Sequence, residues 1–260
     1  MLEMTLNTLN LLYCISRKNV RSSALRAPVD ERHRINPMTS TLTPAQARRH
    51  YDRNAHKQDA QGWYEDAALD RLVALGDFGG ANAVLEVGCG TGKLAALLLR
   101  DHLTPHAIYI GVDISNSMLA RAGTKLKKYA LRAKLRPGDV TLGLTSPNES
   151  ADRIIATYLF DLLSVTHSKN LLAEMHRVLR PGGLICIAGL TRKTQEPEMN
   201  IFSQLWALMQ RAWPSLVGGC RPVQMLPMLK EDQWRVVAHE SVAPRGLASE
   251  ILIARKVSAK

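Results

Sequence analysis

Ten residues, Val84 to Lys93, carry the densest chemistry in the chain: VLEVGCGTGK. An apolar run broken by one acid, Glu86, leads into Gly88-Cys89-Gly90-Thr91-Gly92. Glycine at three of five positions leaves a backbone bare enough for a ligand to lie against it. A strand that ends in such a loop and then opens a helix suits a nucleotide-like group beside the positive end of the helix dipole. Spacing removes two common versions. A GxGxxG dinucleotide loop needs its third glycine at position 93, which is Lys93, and the GxxxxGK[ST] phosphate loop has no counterpart here. Two further acids join the loop. Asp113 ends YIGVDIS, where a carboxylate can accept both hydroxyls of a ribose. Asp139, in PGDV, is placed to accept from the exocyclic amine of adenine, with Val140 beside the ring. Each aspartate taken singly reads equally well as a turn or cap residue. At successive strand ends beside a glycine loop, all of them face one crevice.

The elements that must position these groups alternate strand and helix from Pro44 onward, which predicts an α/β sandwich around a mainly parallel sheet. Thr43 and Pro44 read as the cap and first turn of N-terminal helices running through RRHYDRNAHKQDAQGWYEDAALDRLVAL. NAVLEVG, AIYIGVDI, AKLRPGDV, DRIIATYLF and LICIAGL follow as strands, and WRVVAHESV with SEILIARKV forms an antiparallel pair at the sheet edge. TGKLAALLLRDHL is the helix after the first strand, a basic helix opens at SNSML, and KNLLAEMHRVL is a helix stopped by RPGG. MNIFSQLWALMQRAW is apolar and suits either core or the floor of an acceptor pocket.

At 260 residues with 46% hydrophobic content, the chain is long enough for one generous domain, and no apolar run can span a bilayer. The net charge of +11 invites a nucleic-acid partner, but its distribution argues against one. Much of the excess precedes residue 58, and more lies in RAGTKLKKYALRAKLR, where Met118, Ala122, Leu126 and Tyr129 recur at helical spacing and leave the lysines on a solvated face. Peripheral contact with a membrane surface remains open for that face. Cys14, Cys89, Cys186 and Cys220 show neither metal-ligand nor disulfide spacing, so no metal is expected and Cys89 and Cys186 read as packing residues. Residues 1–40 look foreign to the rest: a disordered extension, a mitochondrial transit peptide, or a stretch preceding a natural start at Met38. A cytoplasmic location follows, or a mitochondrial one if the extension is a transit peptide.

VLEVGCGTGK, GVDIS, GDV and MHRVLRPGGLICIAG resemble the class I S-adenosylmethionine-dependent methyltransferases over about residues 45–256, closest to the small-molecule, quinone and phospholipid N-methyltransferase-like branch. The resemblance implies a Rossmann-like, mainly parallel seven-stranded sheet with an antiparallel last strand and helices on both faces, in a domain over 41–260 with a lid at about 191–230. It implies S-adenosyl-L-methionine as cofactor. Gly88, Cys89, Gly90 and Gly92 would wrap its methionine part, and Glu86 would organise the loop or meet the amino group. Asp113 would take the ribose, Ile114 and Met118 would lie near adenine, and Asp139 and Val140 would hold the adenine edge. Tyr158 and Leu159 would stand between cofactor and substrate, and Tyr51 would lie on a helix folded over the carboxylate end.

Moving an activated methyl group chiefly requires alignment and exclusion of water, although an amine or hydroxyl acceptor still needs a base. No residue earns a catalytic assignment from sequence. His167, Asp161 and Tyr51 are the candidates, with Tyr64 and His56 behind them, and mid-helix His176 reads as packing. ATYLFDLL lacks the Asn/Asp-Pro-Pro-Tyr/Phe signature of methyltransferases acting on base or glutamine amino groups. The expected function is methyl transfer to a small, partly apolar acceptor. A phospholipid or quinone acceptor is the alternative, and a non-catalytic cofactor-binding assembly factor is the alternative of another class.

Overall fold

The computed structural model describes residues 41–191, 220–244 and 247–257. The extension over 1–40 and the apolar segment over 201–213, with most of the expected lid, lie outside the described residues. Seven strands form one sheet in the order β3-β2-β1-β4-β5-β7-β6. β1 (Ala83–Val87), β2 (Ile108–Asp113), β3 (Ala133–Pro137), β4 (Ala151–Thr157) and β5 (Leu179–Leu190) are mutually parallel. β7 (Ser249–Lys256) runs antiparallel to both β5 and β6 (Trp234–Val242). The chain winds outward from β1 to β3, then restarts on the other side of β1 with β4. That reversal opens a crevice beyond the carboxyl ends of β1 and β4.

Alternation along β1 divides the core. Val84 packs on one face with Leu69 and Leu72 of α2 (Gly62–Leu75) and with Leu94 and Ala95 of α3 (Lys93–Leu97). Leu85 and Val87 pack on the other face with Leu171, Leu172 and Met175 of α5 (Val165–Val178). Glu86 therefore points to the same side as Val84. α1 (Pro44–Asn54) starts from a complete capping box between Thr43 and Gln46 and buries none of its residues. α4 (Asn116–Lys125) buries Met118 and Ala122, Leu126 is buried just beyond it, and Lys127 and Lys128 stay exposed.

Two local expectations are revised. The helix after the glycine loop is α3 followed by one wider π-type turn, Leu98–His102, and not a uniform α-helix. RPGG does not separate α5 from β5: α5 ends at Val178 and β5 begins at Leu179. The tract is a bulge inside β5, where Leu179 to Leu184 face only Ala151 to Arg153. Glycine is needed there, since a Cβ on Gly183 would stand 2.9 Å from the Asp152 carbonyl oxygen, and Gly182 has φ 77°.

Candidate functional site

The crevice is walled by the ends of β1, β2 and β4, the loop after β3, and α1 and α2 above. The end of β2 folds the glycine loop onto itself. The Val112 carbonyl accepts from the N–H groups of Gly88 and Cys89 at 2.8 and 3.1 Å, and Asp113 Oδ2 accepts from the N–H of Gly90 at 2.8 Å. Gly88, Gly90 and Gly92 have φ of 75°, 51° and 72°, which a side chain would strain. A Cβ on Gly90 would project into open space, so the bare backbone faces the cavity. Gly92 does not: it lies off the wall, and its Cβ would come within 3.0 Å of Ala122 Cβ. Its bareness lets α3 pack against α4.

Glu86 lies beneath the loop, 2% exposed, and accepts from the Tyr109 hydroxyl at 2.5 Å. Burial pushes its carboxyl up to about 8, with the Asp113 charge adding to the rise against the Tyr109 bond. The neighbouring strand gives way to it. Gly111 is the β2 partner of Glu86, and a Cβ there would stand 2.9 Å from Cys89 Sγ and 3.0 Å from the Tyr109 hydroxyl. Asp113 Oδ1 also accepts from the N–H of Ser115 at 2.8 Å, and burial raises its carboxyl despite these bonds. A carboxylate retains further acceptor directions beyond those two N–H groups. Asp139 does what an N-cap does: its Oδ1 accepts from the N–H and hydroxyl of Thr141 at 2.9 and 2.7 Å, starting the short 3-10 turn Val140–Leu142. Asp139 and Val140 line the cavity, as do Cys89, Ile114 and Met118.

α1 closes one side. Pro44, Ala47 and Tyr51 form its cavity-facing stripe, while its polar side grips the turn after β2. Arg48 Nε donates to the Ile114 carbonyl at 3.1 Å, and Asp52 Oδ1 accepts from the Ser115 hydroxyl at 2.6 Å and the Ser117 N–H at 3.1 Å. Sequence reading missed a second wall of charged groups. Asp59 accepts from the Thr91 hydroxyl at 2.5 Å and Lys125 Nζ at 3.0 Å. Lys93 Nζ donates to Asp66 Oδ1 at 2.5 Å, and Glu65, half-buried in the first turn of α2, also lines the cavity. The helix facing there was the only available signal: Glu65 lies four residues before Leu69, whose side chain reaches both core and cavity.

Tyr158 follows β4 with φ 51°, strained for a side-chain-bearing residue. Its ring lines the cavity, its hydroxyl is 2.9 Å from Ser249 Oγ, and it meets Tyr64 edge-on at 5.6 Å. Burial raises the hydroxyls of Tyr51, Tyr64 and Tyr158, so they remain protonated near neutrality. His167 lines the cavity from the first turn of α5, a helix that packs on the Val140–Leu142 turn. Asp161 does not reach the wall. It is 1% exposed and accepts from the Leu190 N–H at 2.9 Å, so its carboxylate is held in the fold behind the cavity lining. His56 is exposed outside this cavity, and His176 packs edge-on against Trp234 at 5.2 Å. No group of three or more potential ligands is placed to hold a metal among the described residues.

A family described as a methyltransferase domain matches residues 84–183, from β1 into the bulge of β5. An uncharacterised methyltransferase of Geobacillus kaustophilus is 33% identical over 148 residues, 56% of this chain and 64% of that protein. A demethylmenaquinone methyltransferase of Lactobacillus johnsonii is 30% identical over 156 residues, 59% of each. The chain thus spans less than two thirds of either relative. A solved structure titled a [4+2]-cyclase superposes with a TM-score of 0.65 at 19% identity, covering 85% of this chain and 99% of that one, a likeness of fold. The glycine loop, the carboxylates ending β1 and β2, and the strands β2, β3 and β4 all lie within the stretch, residues 84–183, that matches the methyltransferase domain family.

Proposed function

We propose that this protein is an S-adenosylmethionine-dependent methyltransferase whose acceptor is small and partly apolar. The observation that carries the reading is the glycine loop, folded by Asp113 so that its bare backbone at Gly90 faces a cavity with carboxylates at the ends of both neighbouring strands. Those residues fit the cofactor. Asp113 would take the ribose hydroxyls through acceptor directions left beyond Gly90 and Ser115, and Val140, Ile114 and Met118 would enclose the adenine. S-adenosylmethionine, when bound, supplies a methyl group already activated on a positively charged sulfur.

The chain's own contribution is to hold, orient and dry the site. Tyr51 and Tyr158 present rings and protonated hydroxyls to it. Leu159, Leu162 and Leu163, after β4, give the acceptor half an apolar wall, which supports a partly apolar acceptor. A quinone or phospholipid is the narrower version, and the relative named a demethylmenaquinone methyltransferase favours the quinone. Cofactor binding without methyl transfer is the reading from another class. No described helix is long and apolar enough to cross a membrane. Labelled S-adenosylmethionine incubated with a lipid extract, a reduced demethylmenaquinone, a polar metabolite pool and total RNA tests the proposal. Release of S-adenosylhomocysteine with one of the first three supports it. Binding without release across all four favours the binding module, release with RNA alone overturns the small acceptor, and absence of binding overturns the whole reading.

A further inference from the structure

Among the described residues five carboxylates line the cavity, and four are occupied by the loops they organise. Glu86 accepts from Tyr109, Asp113 from two backbone N–H groups, Asp139 from Thr141, and Asp59 from Thr91 and Lys125. Glu65 is the fifth. Its hydrogen bond is to the side-chain hydroxyl of its neighbour Tyr64 and not to a backbone group of the glycine loop or the turns after β2 and β3. Its surroundings place it at the boundary between the two halves of the site. It feels Lys93 from α3, Asp59 from the turn before α2 and Asp66 from its own helix. Tyr64, the residue before it, meets the Tyr158 ring edge-on at 5.6 Å, and the Glu65 charge is felt by Tyr158, Asp161 and Cys220. Of the other candidates on the wall, the buried Tyr51 hydroxyl stays protonated, and His167 stands on the helix packed against Val140–Leu142, at the end assigned to adenine.

We propose that Glu65 faces the transferred methyl group and is the proton acceptor for the nucleophile that receives it. This rests on the methyl-transfer reading above. As the acceptor's lone pair bonds to the methyl carbon, the carbon–sulfur pair stays on sulfur, which becomes a neutral thioether. The proton left on the acceptor passes to the Glu65 carboxylate and then to water, so no oxidant or second reagent is needed. Burial, together with the Asp66 and Asp59 charges and against the Tyr64 bond and Lys93, pushes the carboxyl up to about 7, where it can both take and return a proton near neutrality.

The test compares two ligands that differ in sulfur charge and share their ammonium and carboxylate. Calorimetry at pH 7 in buffers of different ionisation enthalpy counts the protons released when S-adenosylmethionine and S-adenosylhomocysteine bind the full chain. A sulfonium beside Glu65 lowers its pKa and expels up to about half a proton, whereas the neutral thioether does not. The expected result is greater release with S-adenosylmethionine, with the difference lost in Glu65→Gln while S-adenosylhomocysteine affinity stays within about threefold. Equal release from both ligands would place the carboxylate on their common ammonium and overturn the proposal, as would a difference that survives in E65Q. The wild-type comparison stands even if the variant folds poorly. Failure of both ligands to bind sinks the methyl-transfer reading instead. Once turnover identifies an acceptor, E65Q should slow transfer by about 10²–10⁴-fold, and an unchanged rate also overturns the assignment.

Discussion

Replacing Glu86 with glutamine should make the protein more stable at alkaline pH and flatten its stability-versus-pH curve. The wild-type carboxyl is buried under the glycine loop with a pKa of about 8, against an ordinary value of 4.5. A carboxyl whose pKa is raised by folding binds its proton more tightly in the native state. Between pH 4.5 and 8 the native state therefore holds protons that the unfolded state has released, and stability falls as pH rises. Below 4.5 there is no penalty, and above 8 it is complete. At about 1.4 kcal/mol per pH unit, this interval amounts to roughly 3–5 kcal/mol. Glutamine has nearly the same shape, keeps an acceptor for the Tyr109 hydroxyl and cannot ionise. Urea unfolding at pH 5, 7 and 9 in the absence of ligand is the assay. Asp161, pushed up to about 8, Glu65, pushed up to about 7, and Asp113, raised by burial, supply further slopes that E86Q leaves in place. The expected outcome is therefore a wild-type decline cut by about a third, with the two proteins closest at pH 5. Parallel curves for E86Q and wild type would refute the claim that Glu86 is carried protonated at neutrality.

Asp113→Asn should weaken S-adenosylmethionine binding by roughly 1.5–3 kcal/mol, about 10- to 150-fold, because a charged acceptor is lost and one of the N–H groups of Gly90 and Ser115 loses its partner; unchanged affinity by calorimetry would remove Asp113 from the site. Gly111→Ala should cost about 1–3 kcal/mol in urea unfolding, since the new methyl presses on Cys89 Sγ and the Tyr109 hydroxyl. Asp52→Ala should speed cofactor dissociation several-fold in stopped flow, through loss of its bonds to Ser115 and Ser117, with unfolding stability changed by less than about 1 kcal/mol because α1 is exposed.

The parts of this protein legible in its sequence are those set by periodicity and backbone conformation. Seven strands, the antiparallel edge pair and the glycine loop follow from apolar alternation and from glycines at positive φ. The loop's neighbours Asp113 and Asp139 were legible because strand ends fix where their carboxylates face. What escaped depends on contacts between distant segments. Gly92 looks like Gly88 in the sequence, yet it serves the packing of α3 on α4. Asp161 follows β4 as a site residue would, but turns back to cap the Leu190 N–H. Asp59 and Glu65 reach the cavity only because a 3-10 turn and the start of α2 cross the glycine loop, a crossing that no local pattern encodes.

The direct passage from α5 into β5 gives the cavity one unyielding side. With Val178 and Leu179 adjacent and β5 hydrogen-bonded on both flanks, the helix that carries His167 cannot tilt without dragging a central strand. The opposite side, α1, buries no residue of its own and is fastened to the turn after β2 by the hydrogen bonds of Arg48 and Asp52. The crevice thus behaves as a vice with a fixed jaw and a movable one. A ligand held in the crevice is therefore expected to leave past α1, at a rate set by the bonds of Arg48 and Asp52, which join α1 to a turn more than 60 residues further along the chain.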